Sequence, residues 1–435
     1  MSIVDQVYDA GVVGAGGAGF PTHIKLNCKA EIAIANGAEC EPLLHVDQMV
    51  MQSSAKEIVR GLLAVMEQTG AKRGAIATKA HYTEAIAALR EATEGTGIIL
   101  HLMKSYYPAG DEQEIVYDLT GKVVPTGGLP IDVGAVVLNV STLVNIARAM
   151  EGIPVTDKIV TVGGAVANPM TVNVPVGTPI SKLIEAAGGM TRDCSVVIGG
   201  PAMGTVTDDL ETVVTKTTGG ILCIPKDHKL LRMKMEGKMD VQMAKAVCCQ
   251  CMMCSQLCPR NAMGLNVMPH KAMMAVAYGD VDLLGSRNLN GIFSCCDCGI
   301  CTYFACNFGL KPGKVTQGIK AELMRSGVKP RKENYSEPDR GKEGKKVPTS
   351  RLISRLDIEE YDVPAPPEGG LRVADVRIPL KMHIGAPDTP VVHVGDIVQK
   401  GQLIAEPEGM GAKIHASISG KVVEVDQTFI RISES

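Results

Sequence analysis

Ten of the 14 cysteines fall in two short runs, 248–258 and 295–306. Taking Cys248, Cys251, Cys254 and Cys258 from the first gives C-x2-C-x2-C-x3-C-P, the spacing by which bacterial ferredoxins hold a [4Fe–4S] cluster. Three thiolates at that interval wrap one face of a cubane, and the fourth, followed by Pro259, points away toward a second cluster. The spacing passes over Cys249, because starting there leaves only C-x-C. In the second run Cys295, Cys298 and Cys301 repeat the interval, but Cys306 follows after four residues and Asn307 stands in place of the proline. Where two clusters share such runs, the last cysteine of each serves the other cluster. The expected sets are therefore Cys248, Cys251, Cys254 and Cys306 for one cluster, and Cys295, Cys298, Cys301 and Cys258 for the other. A pair of structural zinc sites is the alternative. Eight matched cysteines fit two cubanes better, and so close a pair would relay single electrons.

A second pattern lies near the start, where Gly14-Ala15-Gly16-Gly17-Ala18-Gly19 contains G-x-G-x-x-G. In a dinucleotide-binding Rossmann unit this loop follows a strand. Here Asp5 to Gly11 reads as a short helix closed by glycine, which disfavours an ordinary Rossmann unit. Glycines still let backbone approach a flat ring or a phosphate and present amide N–H groups to an anion, with Lys25 as a phosphate partner.

The elements that must position these groups make the chain a multidomain α/β plus α+β protein. Residues 1–150 alternate apolar runs such as Ile32-Ala33-Ile34-Ala35 with amphipathic stretches such as 55–68, which predicts a parallel α/β sheet. Residues 151–210 read as a small α+β unit, with strands at 159–162 and 171–174 joined by a turn, a helix over 179–187 and a strand at 195–198. Residues 211–328 are rich in Met and Cys and predict helices around 241–247 and 271–277. Residues 329–367, dense in Lys, Glu, Pro and Ser, read as a charged, exposed linker. Residues 368–435 hold short strands between turns at Gly385, Gly395, Gly401 and Ser419-Gly420, which predicts a β barrel or sandwich. Lys+Arg 44 against Asp+Glu 47 gives 44 − 47 = −3, too little charge to draw nucleic acid or an anionic membrane. No run of apolar residues is long enough for a membrane span, and the first residues do not read as a signal peptide. A reducing, cytoplasmic setting is expected, in which clustered thiols bind metal.

Four separated motifs carry a resemblance: Gly14 to Lys25, Asn36-Gly37-Ala38-Glu39-Cys40-Glu41-Pro42, Ala109-Gly110-Asp111-Glu112 and Asn139-Val140-Ser141-Thr142-Leu143. They resemble the successive flavin- and nucleotide-site motifs of the flavin-bearing subunit of respiratory complex I, and still more those of its RnfC relatives. The order of parts is similar too: an N-terminal flavin domain, an SLBB β-grasp unit and a helical two-cluster ferredoxin segment. Within that superfamily, the x4 spacing before Cys306 and the C-terminal sandwich resemble the cobalamin reductases of propanediol-utilisation microcompartments. The electron-transfer proteins that accompany proline reductase are a sister group.

The resemblance implies FMN held by Gly14, Gly16, Gly17, Lys25, Asn36, Gly110, Asn139 and Thr142. It further implies Glu39, Glu41, Asp111 and Glu112 along the flavin and nicotinamide side and Phe20 stacked on the dinucleotide. Ala38 stands where the complex I protein has an acid, and Asp111 where it has Glu, which weakens the case for NADH relative to FMN. The implied activity is transfer of electrons from NADH through FMN and two [4Fe–4S] clusters to an acceptor, cob(II)alamin or a partner reductase, with no catalytic side chain. Implied surroundings are a bacterial microcompartment, with its shell or an adenosyltransferase as partner. The competing expectation is a non-catalytic electron-transfer and docking subunit of a larger complex, of the Rnf type or feeding proline reductase.

Overall fold

The computed structural model describes residues 1–234, 239–334 and 337–434. Residues 235–238, 335, 336 and 435, which belong to the expected ferredoxin segment, linker and tail, lie outside the described residues. The chain opens with helix α1 (Ile3–Asp9), started by a reciprocal cap: the Ser2 hydroxyl accepts from Asp5 N and the Asp5 carboxylate accepts from Ser2 N. A helix therefore precedes the glycine loop.

After α2 (Thr22–Leu26) come β1 (Ile32–Gly37), α3 (Val46–Ser53), α4 (Ala55–Thr69), β2 (Arg73–Lys79), α5 (Thr83–Thr93), β3 (Ile99–Met103), β4 (Tyr106–Tyr107), α6 (Glu112–Thr120), β5 (Ala135–Asn139) and α7 (Val140–Ala149). Strands β3-β2-β1-β5 form a parallel sheet, with Ile34 opposite Ala75 on one side and Val137 on the other. Ile58, Leu62 and Val65 recur at helical spacing on α4 and share a core with Leu143 and Ile146 of α7. Gly61 lets the two helices close, since a Cβ there would lie 2.2 Å from the Leu143 carbonyl oxygen.

The next unit comprises β6 (Asp157–Gly164), β7 (Met170–Pro175), α8 (Ile180–Ala186), β8 (Cys194–Ile198), β9 (Thr205–Thr207) and β10 (Gly220–Pro225). The sheet of this unit continues beyond residue 210. Strand β10, buried throughout, lies between β6 and β8 in the sheet, so the grasp unit runs on to Pro225. Its middle place demands burial on both faces, which Ile221-Leu222-Cys223-Ile224 supplies.

Short helices follow: α9 (Lys229–Lys234), α10 (Met239–Val247), α11 (Met253–Gln256), α12 (Pro259–Ala262), α13 (Pro269–Tyr278), α14 (Ser286–Gly291) and α15 (Pro312–Arg325). The charged stretch after them is not an exposed linker throughout. It holds α16 (Lys342–Lys345), β11 (Val347–Pro348), which pairs antiparallel with β4, and α17 (Thr349–Leu356). Leu352, Ile353 and Leu356 are buried in the grasp-unit core, and buried Lys342 donates to Glu114 at 2.8 Å. Polar composition hid a narrow apolar stripe on one short helix.

β12 (Pro367–Glu368) joins the edge of the grasp sheet beside β7. The tail then forms two facing sheets from β13 (Asp375–Pro379), β14 (Thr389–Pro390), β15 (Ile397–Val398), β16 (Leu403–Glu406), β17 (Ile414–His415), β18 (Gly420–Val425) and β19 (Phe429–Ser433). Val376, Ile378, Ile404, Val422 and Ile430 fill the space between them. The architecture is an α/β domain, a β-grasp unit, a helical cysteine-bearing segment and a β barrel-sandwich. Among the described residues no helix is long and apolar enough to cross a membrane.

Candidate functional site

A cavity of about 580 Å³ runs along edge strand β5 to the carboxyl end of β1, a size suited to a mononucleotide. Gly14, Gly16, Gly17, Phe20, Lys25, Asn36, Gly110, Glu112, Asn139 and Thr142 all line it. The glycine loop is fixed from below: Ala15 N donates to Thr142 Oγ1 at 3.0 Å, and the buried Lys158 ammonium donates to Ala15 O at 2.9 Å. A Cβ on Gly16 would lie 2.7 Å from Asn139 Nδ2, whereas one on Gly17 would meet nothing within 4 Å. The loop thus rests its backbone on Asn139 and turns an open backbone surface to the cavity. Asn36 Nδ2 donates to Gly110 O at 2.9 Å, tying β1 to the turn before α6. Lys25 and Glu112, each about a third exposed, face one another at 3.8 Å. Backbone amides, one cation and an apolar wall fit a flavin and its phosphate.

Glu39, Glu41 and Asp111 are not among the residues that line this cavity. Glu39 is partly exposed at its surface yet surrounded by protein. It accepts from Asp47 N at 3.2 Å, and burial together with the Asp47 charge raises its carboxyl to about 8. Asp47 itself is raised to about 6 by burial, opposed by the two Asn139 Nδ2 contacts at 2.9 and 3.1 Å. Glu41 is buried and accepts from Ala202 N at 2.7 Å, Met203 N at 3.1 Å and the Tyr107 hydroxyl at 2.8 Å. Asp111 caps α6 and receives both Nε (2.5 Å) and Nη2 (2.8 Å) of buried Arg260. Glu41 and Asp111 face partners distant in sequence, which local motif reading could not supply.

The cysteines gather in two places. Cys254 is raised to about 12 by burial and by the nearby Cys306, Cys248 and Cys251 thiols, and Cys248 and Cys306 pack together against Met273 and Leu310. Cys258 and Cys295 share a second small core with Met263 and Leu265, and with Cys298 and Cys301 they surround a narrow cavity. Cys251 is exposed, whereas Cys258, Cys298 and Cys301 are buried. Two groups of four thiols, each gathered from both runs, suit coordination of iron–sulfur clusters. Cys296 also lines the second cavity, a position that spacing did not single out.

The two halves meet at Tyr107, whose hydroxyl lies 2.8 Å from Glu41 Oε1 and 2.8 Å from the Cys298 carbonyl oxygen. Arg260, two residues past Cys258, makes a second junction through Asp111. Neither residue belongs to a spaced motif, and no sequence signal marks them.

Four parts of the chain match described domains: residues 7–148 the Nuo51 FMN-binding domain, 159–206 the SLBB domain, 247–311 a 4Fe-4S dicluster domain and 369–434 the RnfC barrel sandwich hybrid domain. The chain is 40% identical to the cobalamin reductase PduS of Salmonella typhimurium over 440 residues, covering 99% of this chain and 96% of the relative. The similarity to PduS of Citrobacter freundii is also 40%, over 439 residues, with the same coverage. A third relative is a component of the Na(+)-translocating ferredoxin:NAD(+) oxidoreductase complex of Acetobacterium woodii. It is 35% identical over 274 residues, covering 61% of this chain and 59% of that one.

Proposed function

The chain belongs to the family of the cobalamin reductase PduS, and from that premise we propose that it passes electrons from NADH through FMN and two [4Fe–4S] clusters to cob(II)alamin. When bound, FMN takes up electrons in pairs and iron–sulfur clusters release them singly, a conversion that protein side chains cannot perform. The chain's own part is placement. The glycine loop supports the flavin with backbone, Lys25 meets its phosphate, and Asn36, Gly110, Asn139 and Thr142 hold the walls. Phe20, 37% exposed at the cavity rim, is suited to stack on the nicotinamide donor. Cys248, Cys251, Cys254 and Cys306 serve one cluster, and Cys258, Cys295, Cys298 and Cys301 the other.

One observation carries this reading: the flavin-sized cavity and both thiol groups lie in one chain, and Tyr107 joins their domains by hydrogen bonds. The family name supports the acceptor, and a microcompartment with its shell or an adenosyltransferase would be the setting. The likeness to a component of a ferredoxin:NAD(+) oxidoreductase complex, over 61% of the chain, favours a second reading, a relay fed by a partner. Anaerobic titration of the reconstituted holoprotein with NADH, followed by visible absorption and low-temperature EPR, separates the two. Flavin bleaching followed by signals approaching two spins per chain is expected. Clusters that reduce with dithionite but not with NADH would remove the donor and leave the relay.

A further inference from the structure

Away from the flavin cavity and the narrow cysteine cavity, a further cavity of about 380 Å³ lies between edge strand β9 and the second cysteine run. Its roof is the loop 199–206. Gly199 takes φ +95°, and a Cβ on Gly204 would lie 2.5 Å from Gly200 O, so this tight path requires glycine. Glu41 pins the same loop through Ala202 N and Met203 N. Gly299 and Gly313 contribute to the floor. A Cβ on Gly313 would lie 3.2 Å from Cys301 Sγ, so at this point the cavity is separated from a cysteine sulfur by backbone alone.

The walls are chemically mixed. Among the described residues Lys234 donates to Ala202 O at 3.1 Å and Gly204 O at 2.7 Å, two of its three N–H bonds. Its ammonium stands 5.6 Å from the centre of the Tyr303 ring. Thr205, Thr302 and Gln317 add polar atoms, and the lining also holds Lys314 and Asp297, the latter paired with Lys320 at 3.1 Å. Such a wall recognises carbonyl or carboxylate oxygens on an otherwise apolar body. The volume suits the edge of a large ring better than the whole of it.

We propose that this cavity receives the edge of the electron acceptor, a flat ring system carrying amide or carboxylate arms, and holds it over the backbone that covers Cys301. The proposal rests on the reading of the chain as a reductase and says where its acceptor sits. It is tested with the reconstituted holoprotein and hydroxocobalamin as the probe, by equilibrium dialysis. Thr205→Trp on the exposed edge strand and Met203→Trp on the exposed roof loop each fill the cavity. Both are expected to weaken hydroxocobalamin binding about tenfold or more, with iron content, FMN content and circular dichroism at wild-type values. Unchanged binding in two such folded variants overturns the proposal. Wild-type holoprotein that NADH reduces but that binds no hydroxocobalamin overturns it as well, in favour of a protein acceptor, and leaves the NADH-driven reading standing. Binding that the tryptophans weaken, in a holoprotein that NADH fails to reduce, upholds the cavity and removes the donor.

Discussion

Of the loop glycines 14, 16, 17 and 19, Gly17 alone would carry a Cβ into open space, and its backbone is not left-handed. A side chain there meets the cavity and not the fold. Gly17→Val is therefore expected to stay within about 1 kcal/mol of wild type in stability while losing most of its FMN. Flavin absorbance per chain after reconstitution, measured beside a denaturation curve, checks this. Full flavin content in the valine variant would move the binding site elsewhere. At this scale the sequence was most legible where chemistry is local: the thiol groups lie in runs a few residues long, and x2 spacing records their geometry. It was least legible for the buried contacts of Glu41 and Asp111. Their partners, Ala202 and Arg260, lie far along the chain, and nothing in the motif encodes which buried donor an acid will meet.

Elements with a strong local period could be read in advance, as α4, α8 and the β6–β7 pair were. Those whose place depends on distant neighbours could not. β10 inserts between strands that precede it, and α17 is amphipathic over only eight residues within a charged stretch. The seam between the sandwich and the N-terminal domain belongs to the same class. There Lys216 Nζ donates to Gly11 O and Lys413 O, each at 2.7 Å, and His383 Nε2 lies 3.3 Å from Asp388 Oδ1. Burial raises Asp388 to about 7, opposed by the Lys216 charge and assisted by Glu406. Between pH 4 and 7 the unfolded chain has released that proton while the folded chain keeps it, so this carboxyl lowers stability as pH rises through the window, and the penalty persists above it. His415, lowered to about 3 mainly by burial, has the opposite slope between pH 3 and 6.5, because there the unfolded chain binds more protons. The histidine is common to wild type and Asp388→Asn and cancels in their difference. The variant is thus expected to gain on wild type steadily from pH 4 to 7, measured by urea unfolding at each pH. A difference that stays flat would mean that the seam admits enough water to leave Asp388 with an ordinary affinity for its proton.

Over the whole molecule, the hydrophobic core does not respect the division into four parts. Leu43, Leu44 and Tyr107 from the α/β domain, Val196 and Leu222 from the grasp unit, Ile300 and Tyr303 from the cysteine segment, and Leu352 from α17 belong to one buried cluster. Tyr107 holds this junction with a hydroxyl placed between two acceptors, Glu41 Oε1 and Cys298 O. A phenol has one hydrogen, so it serves both neighbours only when Glu41, whose carboxyl burial raises, brings a proton of its own. Tyr107→Phe keeps the ring in the core and strips out the oxygen. It leaves buried oxygens short of a partner, at a cost of about 1–3 kcal/mol. Because the shared core couples the parts, that loss is expected to lower a single unfolding transition seen alike by flavin fluorescence and by iron–sulfur absorbance during denaturant titration. If the two signals separate in the variant while coinciding in wild type, the hydroxyl is what binds the flavin domain to the cysteine segment. If the variant matches wild type in midpoint as well as in coincidence, the apolar cluster alone joins them and the hydrogen bonds at Tyr107 add no net stability.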